Sequence, residues 1–289
     1  MAAPKKPSLK TYLKPGHLLI APGVFEMISA RVADRLGFEA LYMTGYGSVA
    51  SHLGVPDAGT ATYTEMVGRV EMIAKGTSTP LIADADTGYG GLLNVERTVK
   101  GYEYAGASAI QLEDQEFPKK CGHTLGRRVI PAADMVKKIR VAREARDSAD
   151  FLIIARTDAR TTLGLDEALR RGEAYAKAGA DVIFIESPES VEEMRKVTAT
   201  FEQPCLANMV EGGRTPILSH AELKEVGYRL AIFPAAGFLA AAAALDSIYR
   251  GLKEQGSTKS TNTPLYPFSE MNTLMGFERV WDFDKRHAE

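Results

Sequence analysis

Apolar positions along this chain come in short bursts separated by longer amphipathic stretches. Eight bursts have strand length: Leu18–Ala21, Ala40–Met43, Leu81–Ala83, Ala109–Leu112, Phe151–Ala155, Val182–Ile185, Pro204–Ala207 and Leu230–Phe233. Between most of them run helical patterns: Glu26–Leu36, Tyr63–Lys75, Val95–Ala105, Ala132–Arg146, Asp166–Ala178, Val191–Phe201, Ser219–Val226 and Phe238–Gln255. Short apolar runs suit strands covered on both faces, and a 3.6-residue period suits helices packed on them. Glycine supplies the left-handed helix end at Gly106-Ala107 and Gly179-Ala180. Asp166 and Ser219 are expected as N-caps. Eight strands alternating with helices predict an α/β fold, a (β/α)8 barrel of the TIM type with a C-terminal helical extension. An open doubly wound sheet is the alternative.

The length, 289 residues, leaves room for one barrel of about 250 residues plus extensions. The expected division is a catalytic barrel with a short N-terminal segment over 1–255 and an extension over 256–289. Ser, Thr, Gly and Asn crowd the stretch from Gly256 to Thr263. Beyond it stand Leu265, Tyr266, Phe268, Leu274, Phe277, Trp281 and Phe283, too many apolar groups for a solvated tail. They are expected to pack on the barrel or on another subunit.

The net charge of −2 gives no global basic field, so nucleic acid is not an expected partner. Two cysteines, Cys121 and Cys205, make no disulfide framework, and no Cys/His group has zinc spacing. Met1 to Pro15 is rich in Lys and Pro and lacks the apolar core of a secretory signal. The most apolar run, Leu230 to Leu245, is broken by Pro234 and Gly237 and is too short to predict a membrane span. A cytoplasmic location is expected, with a mitochondrial one left open.

Polar residues gather just past the predicted strands: Thr44-Gly45-Tyr46-Gly47, Asp84-Ala85-Asp86, Glu113-Asp114, Arg156-Thr157-Asp158, Glu186 and Asn208. A closed barrel brings those ends to one rim, where active sites are built. Asp84, Asp86, Glu113, Asp114 and Glu186, with Asp57 in the loop after the second strand, would repel one another there, and an oxygen-liganded divalent cation, Mg²⁺ or Mn²⁺, would relieve them. Asp114 and Asp158 have an equally good reading as caps or partners of Arg and Lys. Arg156 offers a planar fork for a substrate carboxylate. The segment Lys119-Lys120-Cys121-Gly122-His123 sets a thiol among cationic groups, which suits a reactive cysteine; a surface loop with a chance cysteine is the bland alternative. Gly122 and Gly126 suggest that Glu113 to Val129 opens and closes as a gate. Cys205 reads as core.

Together, Leu41-Tyr42-Met43-Thr44-Gly45, Asp84-Ala85-Asp86-Thr87-Gly88-Tyr89-Gly90, Glu113-Asp114-Gln115, Lys119-Lys120-Cys121-Gly122-His123, Arg156-Thr157-Asp158-Ala159 and Asn208-Met209 resemble the isocitrate lyase/phosphoenolpyruvate mutase superfamily. The Lys-Lys-Cys-Gly-His loop resembles its lyase branch. The resemblance implies a barrel with its last helix exchanged between subunits, usually in a homotetramer. It implies Mg²⁺ near Asp84 and Asp86, with Asp57, Glu113 and Lys119 around it. A small carboxylate substrate would meet Thr44, Gly45, Tyr46, Gly122, Arg156, Asn208, Pro234 and Leu239. Cys121 would protonate a carbanion, with Lys119, His123, Arg156 and Glu186 beside it and Tyr42 as base or relay. Two departures bear on substrate. Leu239 stands where methylisocitrate lyases carry an arginine, and no serine lies between Arg229 and Asp246, where oxaloacetate hydrolases have one near Pro234. A 2-alkylmalate or 2,3-dimethylmalate fits this pattern best. Methylisocitrate cleavage, oxaloacetate hydrolysis or decarboxylation, and carboxyphosphonoenolpyruvate mutase chemistry are the alternatives.

Overall fold

All eight predicted bursts form strands. The computed structural model describes residues 6–122, 126–259 and 262–288. The strands are β1 (Leu19–Val24), β2 (Leu41–Met43), β3 (Leu81–Asp84), β4 (Ala109–Glu113), β5 (Leu152–Thr157), β6 (Val182–Ile185), β7 (Leu206–Asn208) and β8 (Leu230–Phe233). Neighbours pair in parallel in the order β6-β5-β4-β3-β2-β1-β8-β7. A single parallel bridge, Ile183 to Cys205, joins β6 to the start of β7. The sheet is therefore a nearly closed TIM-type barrel, and the open doubly wound alternative falls. Cys205 lies just before β7 rather than inside it. It is buried, and burial pushes its thiol up to about 12, as suits a core residue.

The helices are α1 (Met27–Arg35), α2 (Gly45–Leu53), α3 (Tyr63–Gly76), α4 (Leu92–Ala105), α5 (Ala132–Ala145), α6 (Ala159–Leu163), α7 (Leu165–Ala178), α8 (Val191–Thr200), α9 (His220–Val226), α10 (Ala236–Gln255), α11 (Phe268–Met275) and α12 (Phe277–His287). Gly106 and Gly179 end α4 and α7 at φ 101° and 108°, the left-handed region that glycine enters without a Cβ penalty. Ser219 caps α9, accepting from the Glu222 amide while Glu222 bonds back. Asp166 is not a cap. Gly164, at φ 89°, both ends α6 and starts α7, so the chain turns there and Asp166 falls in the first turn of α7.

Side chains of a strand alternate between faces. Leu19, Ala21, Tyr42, Ile82, Leu152 and Phe184 belong to one buried cluster inside the barrel, together with Leu9 of a short 3₁₀ helix at Leu9–Thr11. Their neighbours, such as Leu41, Leu81, Ile153 and Ile183, join the layer beneath the helices. Counting on by twos from the inward residues reaches Thr44, Asp84, Gln111 and Glu113, Arg156, Glu186 and Asn208. Asp114 and Thr157 have the opposite parity and point toward the helices.

The chain divides into two compact units, Met1–Gly237 and Phe238–Glu289. The long helix α10 thus groups largely with the C-terminal segment, whereas the sequence pattern places the boundary at 255/256. In the C-terminal unit, Phe277 and Trp281 rings lie 6.0 Å apart, and Thr263 Oγ1 donates to Ser247 Oγ at 2.7 Å. Tyr249, Leu265, Phe268, Trp281 and Phe283 are exposed. Among the described residues no helix is long and apolar enough to cross a membrane.

Candidate active site

Three linked clusters occupy the C-terminal rim of the barrel. The first surrounds Asp84 at the end of β3. Its Oδ1 accepts from the Asp86 amide at 3.1 Å and from Gln111 Nε2 at 3.3 Å. Gln111 in turn accepts from the Tyr42 hydroxyl at 2.9 Å. Burial, with Asp84 nearby, pushes the Tyr42 phenol well up, so it keeps its proton and serves better as a relay than as a base. Oδ2 of Asp84 looks toward Gly45, the first residue of α2; a Cβ there would stand 2.6 Å from it.

The second cluster centres on Lys119, only 3% exposed. Its ammonium lies 2.5 Å from Asp57 Oδ1 and 2.7 Å from Asp86 Oδ1. Burial alone would lower Lys119, but Asp86 and Asp57 hold it well above its ordinary value. Asp86 is itself raised to about 7 by burial, Lys119 opposing the shift. Asp86 also sits at φ 51°, a conformation uncommon outside glycine that here aims its carboxylate at the lysine.

The third cluster is built on Arg156. Its Nε and Nη2 each donate to Asp158 at 2.9 Å, and Nη2 lies 3.2 Å from Glu186 Oε2. Glu113 Oε2 stands 3.5 Å from Nε. Asn208 Nδ2 donates to Glu186 Oε2 at 3.0 Å, and the Ser187 hydroxyl donates to Glu186 Oε1 at 3.2 Å. Burial alone would raise Asp158, but Arg156 and Arg127 hold it below the usual carboxylate range. Gly122 lies directly on this cluster: a Cβ there would overlap Arg156 Nη2 and stand 2.8 Å from Glu186 Oε2. The fork of Arg156 is thus already bound to protein carboxylates, and a substrate anion would share it with them.

The other expected positions sort as follows. Thr44 is buried as the residue before α2, whereas Tyr46 is 42% exposed on that helix. Cys121 is partly buried beside Gly122. Pro234 follows β8 with its backbone pressed on Gly23, where a Cβ would meet the Pro234 carbonyl at 2.5 Å. Leu239 lies on α10 in the C-terminal unit, 45% exposed. His123 lies outside the described residues. Asp114 follows the structural reading: it accepts from Thr157 Oγ1, the Asp158 amide, Arg171 and the Tyr175 hydroxyl at 2.6–3.0 Å. Asp158, named on the rim, takes its alternative reading as a partner of Arg156 and Arg127, whereas Gln111 and Arg127 were not picked out as site residues. Alternation along β4 gives Gln111 away, since it is the one polar position between inward Ala109 and Glu113.

The donor set suits a hard cation that uses few protein ligands. Asp84 Oδ2 stands against Gly45, where the lack of a Cβ leaves it uncovered, and buried Glu113 Oε1 has no hydrogen-bond partner among the described residues. Burial pushes the Glu113 carboxyl well up, a cost that a nearby cation would remove. Asp57 and Asp86 already face Lys119. Among the described residues no three or more His, Cys, Asp or Glu form a group able to hold a metal. Mg²⁺ needs no such cage, because it keeps waters and takes one or two carboxylates plus substrate oxygens.

The sequence profile described as phosphoenolpyruvate phosphomutase matches residues 9–253. The chain belongs to the phosphoenolpyruvate mutase/isocitrate lyase superfamily. Within that superfamily it is 50% identical to 2,3-dimethylmalate lyase of Eubacterium barkeri, over 97% of both chains. A crystal structure of 2,3-dimethylmalate lyase superposes with a TM-score of 0.90 at 38% identity, covering 99% of this chain and 97% of that one. Oxaloacetate acetylhydrolase in complex with 3,3-difluorooxalacetate superposes with a TM-score of 0.91 at 36% identity, covering 96% and 95%.

Proposed function

We propose that this chain is a divalent-cation-dependent carbon–carbon lyase that cleaves a 2-alkylmalate to an α-keto acid and a monocarboxylate, with 2,3-dimethylmalate as the best-fitting substrate and pyruvate as its keto acid. The observation that carries the reading is the inward ring of Asp84, Glu113, Arg156, Glu186 and Asn208, with Gly122, next to Cys121, lying against its Arg156 and Glu186. The 50% identity to a 2,3-dimethylmalate lyase favours this substrate within the class.

Asp84, with Glu113 and Asp86 around it, would hold Mg²⁺. The cation, when bound, makes a substrate hydroxyl more acidic and neutralises the keto-acid carboxylate. The residues do the rest. A carboxylate of the ring accepts the hydroxyl proton, and the C2–C3 bond breaks. Its electron pair moves onto the departing fragment as an aci-carboxylate, leaving pyruvate behind. Arg156, Lys119 and Asn208 stabilise the developing negative charge. Cys121 gives its proton to that carbon, and the thiolate recovers one from solvent or from a neighbouring group. For 2,3-dimethylmalate the products are pyruvate and propionate, with one proton moved from oxygen to carbon.

Exposed apolar groups on α10, α11 and α12 support a second proposal, that the C-terminal unit packs on another copy of the chain in a homotetramer. A cytoplasmic setting accords with this metabolic reading.

Pyruvate release is to be measured from 2,3-dimethylmalate, methylisocitrate and oxaloacetate with Mg²⁺, with Mn²⁺, and after chelation. The reading requires fastest release from 2,3-dimethylmalate and its loss with chelator. Faster methylisocitrate cleavage, oxalate from oxaloacetate as the main product, or full activity in chelator overturns it.

A further inference from the structure

We propose that Arg127 is a positioning residue that ties the seating of the cysteine loop to the orientation of Arg156. Arg127 is 3% exposed, although Gly126 before it and Arg128 after it are exposed. Its Nη1 donates to Asp158 Oδ1 at 2.5 Å, and its Nη2 donates to Thr161 Oγ1 on α6 at 2.7 Å. The same Asp158 holds both Nε and Nη2 of Arg156. One carboxylate therefore carries two guanidinium groups, one from the reacting layer and one from the loop.

Five residues before Arg127, Gly122 rests on Nη2 of Arg156. The loop thus bears on Arg156 twice, directly at Gly122 and through Asp158 at Arg127. Its stem is fixed independently. Gln115 and Val129 form an antiparallel bridge, the Glu116 amide donates to the Arg128 carbonyl at 2.8 Å, and the Ile130 amide donates to the Asp114 carbonyl at 2.8 Å. Loss of Arg127 should leave that stem in place. It would free Asp158 to rotate, and Arg156 with it, because a planar fork holds its partner only while both oxygens stay in plane. The neighbouring Arg128–Glu116 pair at 2.7 Å is exposed and contributes little to either effect.

The test uses the full chain with Arg127→Met, Arg127→Lys, Thr161→Val and, as control, Arg128→Met. Amide hydrogen exchange is followed over 115–122, 156–163 and the strands β1 and β8, and kcat and KM are measured for pyruvate release. Arg127→Met should speed exchange in the first two segments by about tenfold while β1 and β8 keep parental protection. It should lower kcat at least about tenfold with KM changed less than about threefold. Arg127→Lys should recover part of both losses, Thr161→Val should show a smaller loss, and Arg128→Met should match the parent. The turnover arm rests on the proposed activity and the exchange arm does not. A parent that cleaves none of the substrates sinks the activity reading alone. Unchanged exchange at 115–122 in Arg127→Met, equal damage from Lys and Met, or protection lost throughout the barrel overturns the positioning role.

Discussion

Replacing Gly122 by alanine asks whether the loop must lie on Arg156 for the chemistry to proceed. Gly122 is not among the left-handed glycines, so alanine meets no backbone strain there. The obstacle is steric alone. A methyl group would overlap Arg156 Nη2 and lie 2.8 Å from Glu186 Oε2, against ordinary carbon contacts of about 3.5–4 Å. Arginine ends usually swing away cheaply. This one cannot, because Asp158 grips it twice at 2.9 Å and Glu186 sits behind it. Overpacking of a fixed site costs about 1–3 kcal/mol. At about 1.4 kcal/mol per factor of ten, the seated loop should become about fivefold to about 150-fold rarer. A coupled assay for pyruvate from 2,3-dimethylmalate should show kcat/KM falling by that range. The melting temperature should move by no more than about 2 °C, since none of the described residues from 116 to 122 is a buried apolar group. Amide exchange over 115–122 should rise in parallel, which keeps the test informative even if another substrate is preferred. Parental turnover together with parental exchange in Gly122→Ala would refute the reasoning.

Gly45→Ala should place a methyl 2.6 Å from Asp84 Oδ2; the Mg²⁺ concentration for half-maximal activity should rise about tenfold or more, and an unchanged requirement would remove Asp84 from the cation site. Cys121→Ser keeps the size of the group but offers a much weaker acid, so turnover should drop by about two orders of magnitude or more with substrate binding largely kept; parental turnover would deny the cysteine its proton. Sedimentation should give a tetramer, and truncation after residue 255 should shift it to smaller species; a monomeric parent ends the packing proposal. Leu239→Arg should narrow the preference for 2,3-dimethylmalate over methylisocitrate, and an unaltered ratio would take Leu239 out of selectivity.

The strand count, the helix alternation and the rim of polar residues were legible because each rests on local periodicity. Side-chain parity was equally available and more discriminating. It separates inward Glu113 from outward Asp114, adjacent residues with opposite fates, and it marks Gln111 as the link between Tyr42 and Asp84. The short helices α2 and α6 were missed. Gly45 and Gly47 disfavour a helix on propensity, and α6 spans barely one turn, so tertiary placement decides both. The pairings of Lys119 with Asp57 and of Arg127 with Asp158 join segments far apart in the chain, and no local pattern encodes them. The apolar tail pointed to packing on the barrel or on another subunit without saying which.

The join between β6 and β7 rests on one backbone bridge low on the strands, at Ile183 and Cys205. Nearer the rim side chains reach across the same gap, the Asn208 carboxamide donating to the Glu186 carboxylate, just past β6, at 3.0 Å. Two residues of the proposed reaction chamber therefore also act as masonry. Their replacement loosens the wall while it removes a functional group, so a slow Asn208 or Glu186 variant does not by itself report a chemical role.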